Sequence, residues 1–235
     1  MLNVSDPHGF RKTVAGLCMI CAPLVLLSGI ILEPDRESNE FVQLSVIRDN
    51  PERWLFSNVT VLFALLLAIP AVLGLMHMLR EREAGYGHVG GAAALVGIFA
   101  ASCSVAIQGF VGWQMGSTGA NTSEMTALWE RINQAGGSLI ALFLVPFCFA
   151  VGMAILCIGL YRARAVQSWT ATAIAIGATC IVAAGPLASE VVGIIGGAFL
   201  LVGLFTVGRM VLNESEEEWE HTPEYRGFRP LAGTR

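Results

Sequence analysis

Apolar residues fill six stretches of this chain almost without interruption, and polar residues collect in the gaps between them. The stretches are Thr13–Leu32, Leu55–Leu79, Val89–Met115, Ser138–Tyr161, Trp169–Leu187 and Val191–Leu212. A hydrocarbon core ~30 Å thick takes about 20 helical residues to cross. None of the stretches alternates with period two, as barrel strands would, and backbone groups in hydrocarbon must be satisfied internally, which leaves helix. The expected fold is therefore all-α, a polytopic bundle of six transmembrane helices over residues 1–212, followed by a solvated cytoplasmic tail over 213–235.

Two gaps carry a shorter helical pattern. Phe41, Leu44 and Ile47 recur at helical spacing within Ser38–Asp49, and Met125, Leu128, Trp129 and Ile132 form a stripe after Thr122 and Ser123, either of which would serve as cap. Both segments predict short amphipathic helices on the outer face. At "DNPERW", Asn50 is the expected cap and Pro51 the first residue of the second span. Spans one to two and three to four thus share a plan: span, outer helix with a Glu-Arg pair (Glu52-Arg53, Glu130-Arg131), span, basic turn.

Composition agrees with the pattern. Hydrophobic residues make up 54% of the chain and charged residues 14%, against about 25% charged in soluble domains, and the mean hydropathy is +0.64. Positive charge sets orientation. Arg36, Arg48, Arg53 and Arg131 fall in the odd gaps, and the other ten of the 14 Lys and Arg fall at the N-terminus, in the even gaps and in the tail. That asymmetry predicts a multi-pass protein of the inner (plasma) membrane with both termini cytoplasmic. Trp54, Trp113 and Trp129 fall at the outer boundary and Tyr86, Tyr161 and Trp169 at the inner one, as aromatic belts would. The first stretch is too long for a signal-peptide core and lacks an Ala-x-Ala-like site, so it is expected to stay as a span. The lipid bilayer is the expected partner. Without a basic stripe interleaved with aromatics, nucleic acid is not.

The segments "NPERW", "LGLMHMLRERE" and "GLYRARAVQSW", with the layout along nearly the whole chain, resemble an uncharacterised family of six-helix bacterial integral membrane proteins, a domain of unknown function. The resemblance implies fold and location and no activity. Members of that family often end the first helix on His-Pro, where this chain has Glu33-Pro34.

Candidate chemistry is sparse. Cys18 and Cys21, in "GLCMICAP", share a helix face, the geometry that a thiol pair or a soft metal requires. They lie inside the inner boundary on the reducing side, and Cys103, Cys148, Cys157 and Cys180 are scattered singly, which favours packing over redox or metal use. His77 and His88 flank the turn between spans two and three, where an interfacial role outweighs haem ligation. No metal and no cofactor is expected. Apart from end positions no span contains Asp, Glu, Lys or Arg, which counts against ion pumping and proton coupling. The outer half does hold neutral polar residues, Asn58, Thr60, Gln108 and Gln114, with Glu33 and Glu190 at the rim. Asn58, Gln108, Gln114, Glu33 and Glu190 are the candidate ligand-lining set; interhelical hydrogen bonding is the competing reading.

Small-residue pairs at Gly87/Gly91, Gly112/Gly116 and Gly193/Gly197, with Ala93, Gly97 and Ala101 extending one face of the third span, fit close helix crossings, within the chain or with a membrane partner or second copy. Pro23, Pro70 and Pro146 are expected to interrupt the first, second and fourth spans. Without a catalytic triad, HExxH or phosphate-binding loop, the expected function is non-enzymatic: a scaffold, sensor or accessory subunit. The alternative is a small permease or binding protein that takes an apolar or amphiphilic solute through an outward-facing pocket.

Overall fold

The computed structural model describes residues 7–35, 37, 39–117, 122–134, 146–215 and 219. Among them eight helices form and no strand: α1 (Pro7–Leu32), α2 (Glu40–Asp49), α3 (Pro51–Met78), α4 (Ala84–Ser117), α5 (Thr122–Gln134), α6 (Phe147–Arg162), α7 (Ser168–Ala184) and α8 (Glu190–Asn213). Helices α1, α3, α4 and α8 are long and apolar enough to cross a membrane. Helices α6 and α7, of 16 and 17 residues, span about 24–26 Å at 1.5 Å per residue. The first part of the expected fourth span, Ser138 to Val145, lies outside the described residues.

The six apolar helices close into a ring in which each packs on two neighbours, in the order α1, α3, α4, α6, α7, α8 and back to α1. Large apolar side chains cover its outside; Phe56, Phe63, Phe99, Val151 and Phe205 are all exposed. So much exposed apolar surface would be unfavourable in water, and this is the architecture of a membrane protein.

The ring has two distinct ends. At the basic end the turns Leu79–Glu83 and Arg162–Gln167 meet: Arg162 Nε donates to Glu83 Oε1 at 3.1 Å, and its guanidinium lies 5.4 Å over the Tyr86 ring. Lys12 Nζ donates to the Glu214 carbonyl at 2.6 Å on the same end. Of the tail expected to be solvated, Glu214, Ser215 and Trp219 are described, and Trp219 is buried. Its ring stacks on His77 with centroids 4.6 Å apart.

At the far end α2 packs on α4, and α5 packs on α2. Leu44, Met115 and Trp129 form a small apolar cluster there. Helix α2 therefore buries Leu44 and Ile47 against α4 and leaves Phe41 exposed. Asn39 is the side-chain cap of α2, accepting from the Phe41 and Val42 N–H groups. Asn50 is the cap residue at the junction, as expected: its N–H closes α2 on the Val46 and Ile47 carbonyls, and it precedes Pro51 at the start of α3 without a side-chain bond. Thr122 lies inside α5 as its first residue.

One further expectation needs correcting. Trp54 and Trp129 do not stand in a lipid-facing belt: both are buried, and the Trp54 indole N–H donates to the Gly109 carbonyl at 3.1 Å, a partner that lipid tails cannot offer. Tyr161 and Trp169 are exposed at the basic end. Pro23 and Pro70 lie within helices as expected, and Pro146 stands just before α6, with the preceding part of the fourth span outside the described residues.

The glycine stripes are taken up inside the chain. Gly87 and Gly91 face Leu79 and Met76, and Gly112 and Gly116 face Trp54 and Ile47; Gly193 and Gly197 face Ile30 and Leu27. The tightest approach is where α4 crosses α6, through Gly97 of the expected small-residue face and Gly152 opposite it: a Cβ on Gly97 or Gly152 would collide with the backbone of Phe149 or Ala94. Dispersion contacts of this kind hold helices together where hydrophobic drive is absent.

Candidate functional site

A cavity of about 230 Å³ lies inside the ring toward its far end, and all six ring helices or the residues at their ends contribute to its wall. Its apolar part comes from small or kinked positions: Ala22 and Pro23 of α1, Ala64 and Ala68 of α3, Ala101 of α4. Short side chains at these points leave space between helices whose neighbouring turns are in contact. The polar part gathers at the far end. Glu33 follows the last residue of α1, Ser104 and Gln108 sit one turn apart on α4, and Ser189 and Glu190 open α8.

The cavity thus brings together three of the five residues expected to line a site, Glu33, Gln108 and Glu190. Asn58 and Gln114 are elsewhere. Asn58 lies in a crevice between α3 and α4 beside Gly109, with its Nδ2 donating to the Trp54 carbonyl at 2.9 Å. Gln114 is exposed near the end of α4. Thr60 turns back to the Phe56 carbonyl at 2.8 Å.

Each polar wall residue is held by its element. Helix α1 is tied to α3 by the Ser57 hydroxyl, which donates to the Gly29 carbonyl at 2.8 Å in a buried position. Arg53 Nε donates to the Leu32 carbonyl at 2.8 Å and so fixes the end of α1 just before Glu33, whose side chain is 8% exposed. Ser189 caps α8 through a 3.4 Å bond from the Val192 N–H, which places Glu190 in the first turn.

Ser104 is buried, and neither its hydroxyl nor the Gln108 amide has a hydrogen-bond partner among the described residues. An amide with two donors and an acceptor that faced lipid unpaired would be costly; facing a cavity, it is available to an occupant. Ser104 was not singled out in the sequence, although it stands four residues before Gln108 and so on the same face of α4. Ser189 was not singled out either; its place just before the apolar run of α8 is the signal of a helix cap.

The other candidates sit apart from the cavity. Cys18 is buried in the apolar core beside Met19, and Cys21 is half-buried. Among the described residues no three His, Cys, Asp or Glu side chains gather as a metal site would require. His77 is partly buried under Trp219, whose carbonyl lies 3.2 Å from Nε2, and His88 is exposed.

Scans against protein-family models, curated proteins and solved structures return no match.

Proposed function

We propose that this chain is a non-enzymatic, six-span integral membrane protein, with both ends cytoplasmic, that binds a small amphiphilic solute in a pocket opening outward between α1, α7 and α8. One observation carries the reading: the cavity enclosed by the six ring helices has an apolar depth and a polar rim. Pockets that orient a ligand combine a mostly apolar wall with a few convergent polar groups, and Ser104 and Gln108 present such groups without internal partners. The basic end supports the threading, since Lys12, Glu83, Arg162 and Glu214 meet there while α2 and α5 lie at the other end.

A second reading, a sensor or accessory subunit, is supported by the tail. Trp219 has a fixed seat on His77, which gives the cytoplasmic segment a contact with the bundle that could report on it. The two readings share the pocket and differ in whether its occupancy is passed on through the tail.

Gln108→Leu tests the pocket. Thermal unfolding of the purified protein against a panel of medium-chain amphiphiles should show ligand stabilisation in the wild type and its loss in the variant. Without ligand the two should differ by no more than about 1 kcal/mol, the size of one intramembrane hydrogen bond. Equal stabilisation of both proteins by every compound would remove the pocket reading.

A further inference from the structure

We infer that the solute class for this pocket is a small cationic amphiphile, a primary ammonium on a medium-length hydrocarbon chain. The inference rests on the pocket reading above and adds the charge and size of the occupant.

Charge comes first. Two carboxylate residues, Glu33 and Glu190, line the cavity, and no Lys, Arg or His stands among its described lining residues. Arg53, at the start of α3, directs its guanidinium to the main-chain carbonyls of Leu32 and Glu33, at 2.8 and 3.4 Å. The positive end of α8, which would favour an anionic headgroup, already carries Glu190 in its first turn. Glu190 has no hydrogen bond or ion pair among the described residues, so its carboxylate can accept from an incoming N–H donor. Charge-assisted bonds of that kind are about twice as strong as neutral ones.

The neutral groups fit the same headgroup. Ser104 is about nine-tenths buried, faces the cavity and has no partner, and the oxygen of the Gln108 amide is a second acceptor one turn away. An ammonium has three donors and no acceptor, which matches a carboxylate, a hydroxyl oxygen and an amide oxygen. A carboxylate or phosphate headgroup would find these groups facing it with one negative charge already present at Glu190.

Size follows from volume. A 150 Å³ apolar cavity takes benzene, so about 230 Å³ takes a molecule of roughly nine or ten non-hydrogen atoms by the same proportion. The apolar wall of Pro23, Leu26, Ala64, Leu65 and Ala68 receives a chain rather than a second polar group.

The test uses three probes of equal length on the whole protein in lipid nanodiscs: octylamine, octanol and octanoate. Octylammonium should raise the unfolding temperature by about 3–5 °C at tenfold excess over its dissociation constant, octanol by less, and octanoate not at all. Glu190→Gln should reduce the octylammonium shift to that of octanol and leave the octanol shift unchanged. If octanol or octanoate stabilises the wild type as much as octylammonium, the charge inference is overturned and the pocket reading stands. If no probe stabilises the wild type, both fail together. The ranking of the three probes on the wild type decides the matter even if the Gln variant does not fold.

Discussion

A single helix, α1, runs through two different interiors. Met19, toward the basic end, is fully enclosed, whereas Pro23, Leu26 and Ile30, toward the far end, line a cavity. The same division recurs around the ring. On α3, Leu75 is buried in the core while Ala64 and Leu65 face the cavity; on α8, Val207 is buried while Gly193 faces it. One half of the bundle is solid and the other hollow, although both are built from the same apolar helices. The difference lies in what small residues do. In the solid half, Gly90 and Gly152 let α4 and α6 touch through their backbones. In the hollow half, Ala22, Ala64 and Ala68 hold open a space that longer side chains would fill.

The largest effect is expected where backbones touch. Gly152→Leu places a side chain against the Ala94 main chain, which cannot move aside as a flexible side chain could. The loss should exceed the ~3 kcal/mol upper end of ordinary overpacking, and fluorescence-detected gel filtration should show little folded protein. Next comes the same substitution made in each half. Leu156→Ala, in the solid half, should cost about 2–3 kcal/mol, the lower part of the Leu→Ala range, because on unfolding the removed methyl groups would meet lipid rather than water. Leu65→Ala, on the cavity wall, should cost under about 1 kcal/mol, since it enlarges an existing space instead of creating one. Thermal midpoints of the pair measure the contrast directly, and equal losses would mean that the two halves are packed alike.

The smallest effect has the opposite sign. Ala188, in the turn that leads from α7 to α8 at the cavity rim, has φ of 43°, a left-handed conformation that favours glycine. Ala188→Gly should stabilise the protein by about 0.5–1 kcal/mol, seen as a small rise in thermal midpoint with ligand ranking unchanged.

Much of this architecture was legible in the chain because the membrane constraint acts on composition. Runs such as Val191–Leu212 could be read directly as helices, and α8 covers Glu190–Asn213. The two outer helices were legible because apolar period and polar boundary residues agreed, at "DNPERW" for α2 and at Thr122 and Ser123 for α5. Contacts between helices were not. The small-residue face from Gly87 through Gly97 pointed to a close crossing, but its counterpart on α6, Gly152, is a position that no spacing rule pairs across separate helices. The tryptophans were misread for a related reason. Trp54 sits at the boundary depth of a belt residue, but its indole finds the Gly109 carbonyl, a tertiary contact invisible from position along the chain.

The candidate site was half legible. Gln108 stood out as a strong polar group inside an apolar run, and Glu33 and Glu190 as charges at span ends. Their convergence depended on α1 and α8 being neighbours in the ring, which the sequence order does not show. Asn58 met the same criteria and went elsewhere, because its amide is satisfied by the preceding turn of its own helix. Polarity inside a span marks a residue that needs a partner without saying whether the partner is a ligand.

The central claim, a hollow half open to the outer face and available to a ligand, is tested most directly by Ser104→Cys in a cysteine-free background. The substitution is nearly isosteric and places the thiol on the cavity wall. A small, membrane-impermeant thiol reagent added to intact cells should modify it more slowly than a Ser123→Cys control on α5, leave a Ser168→Cys control at the basic end untouched, and be blocked by excess octylamine. Modification of Ser168→Cys from outside, or a Ser104→Cys thiol that reacts at the same rate with and without the amphiphile, would contradict the account.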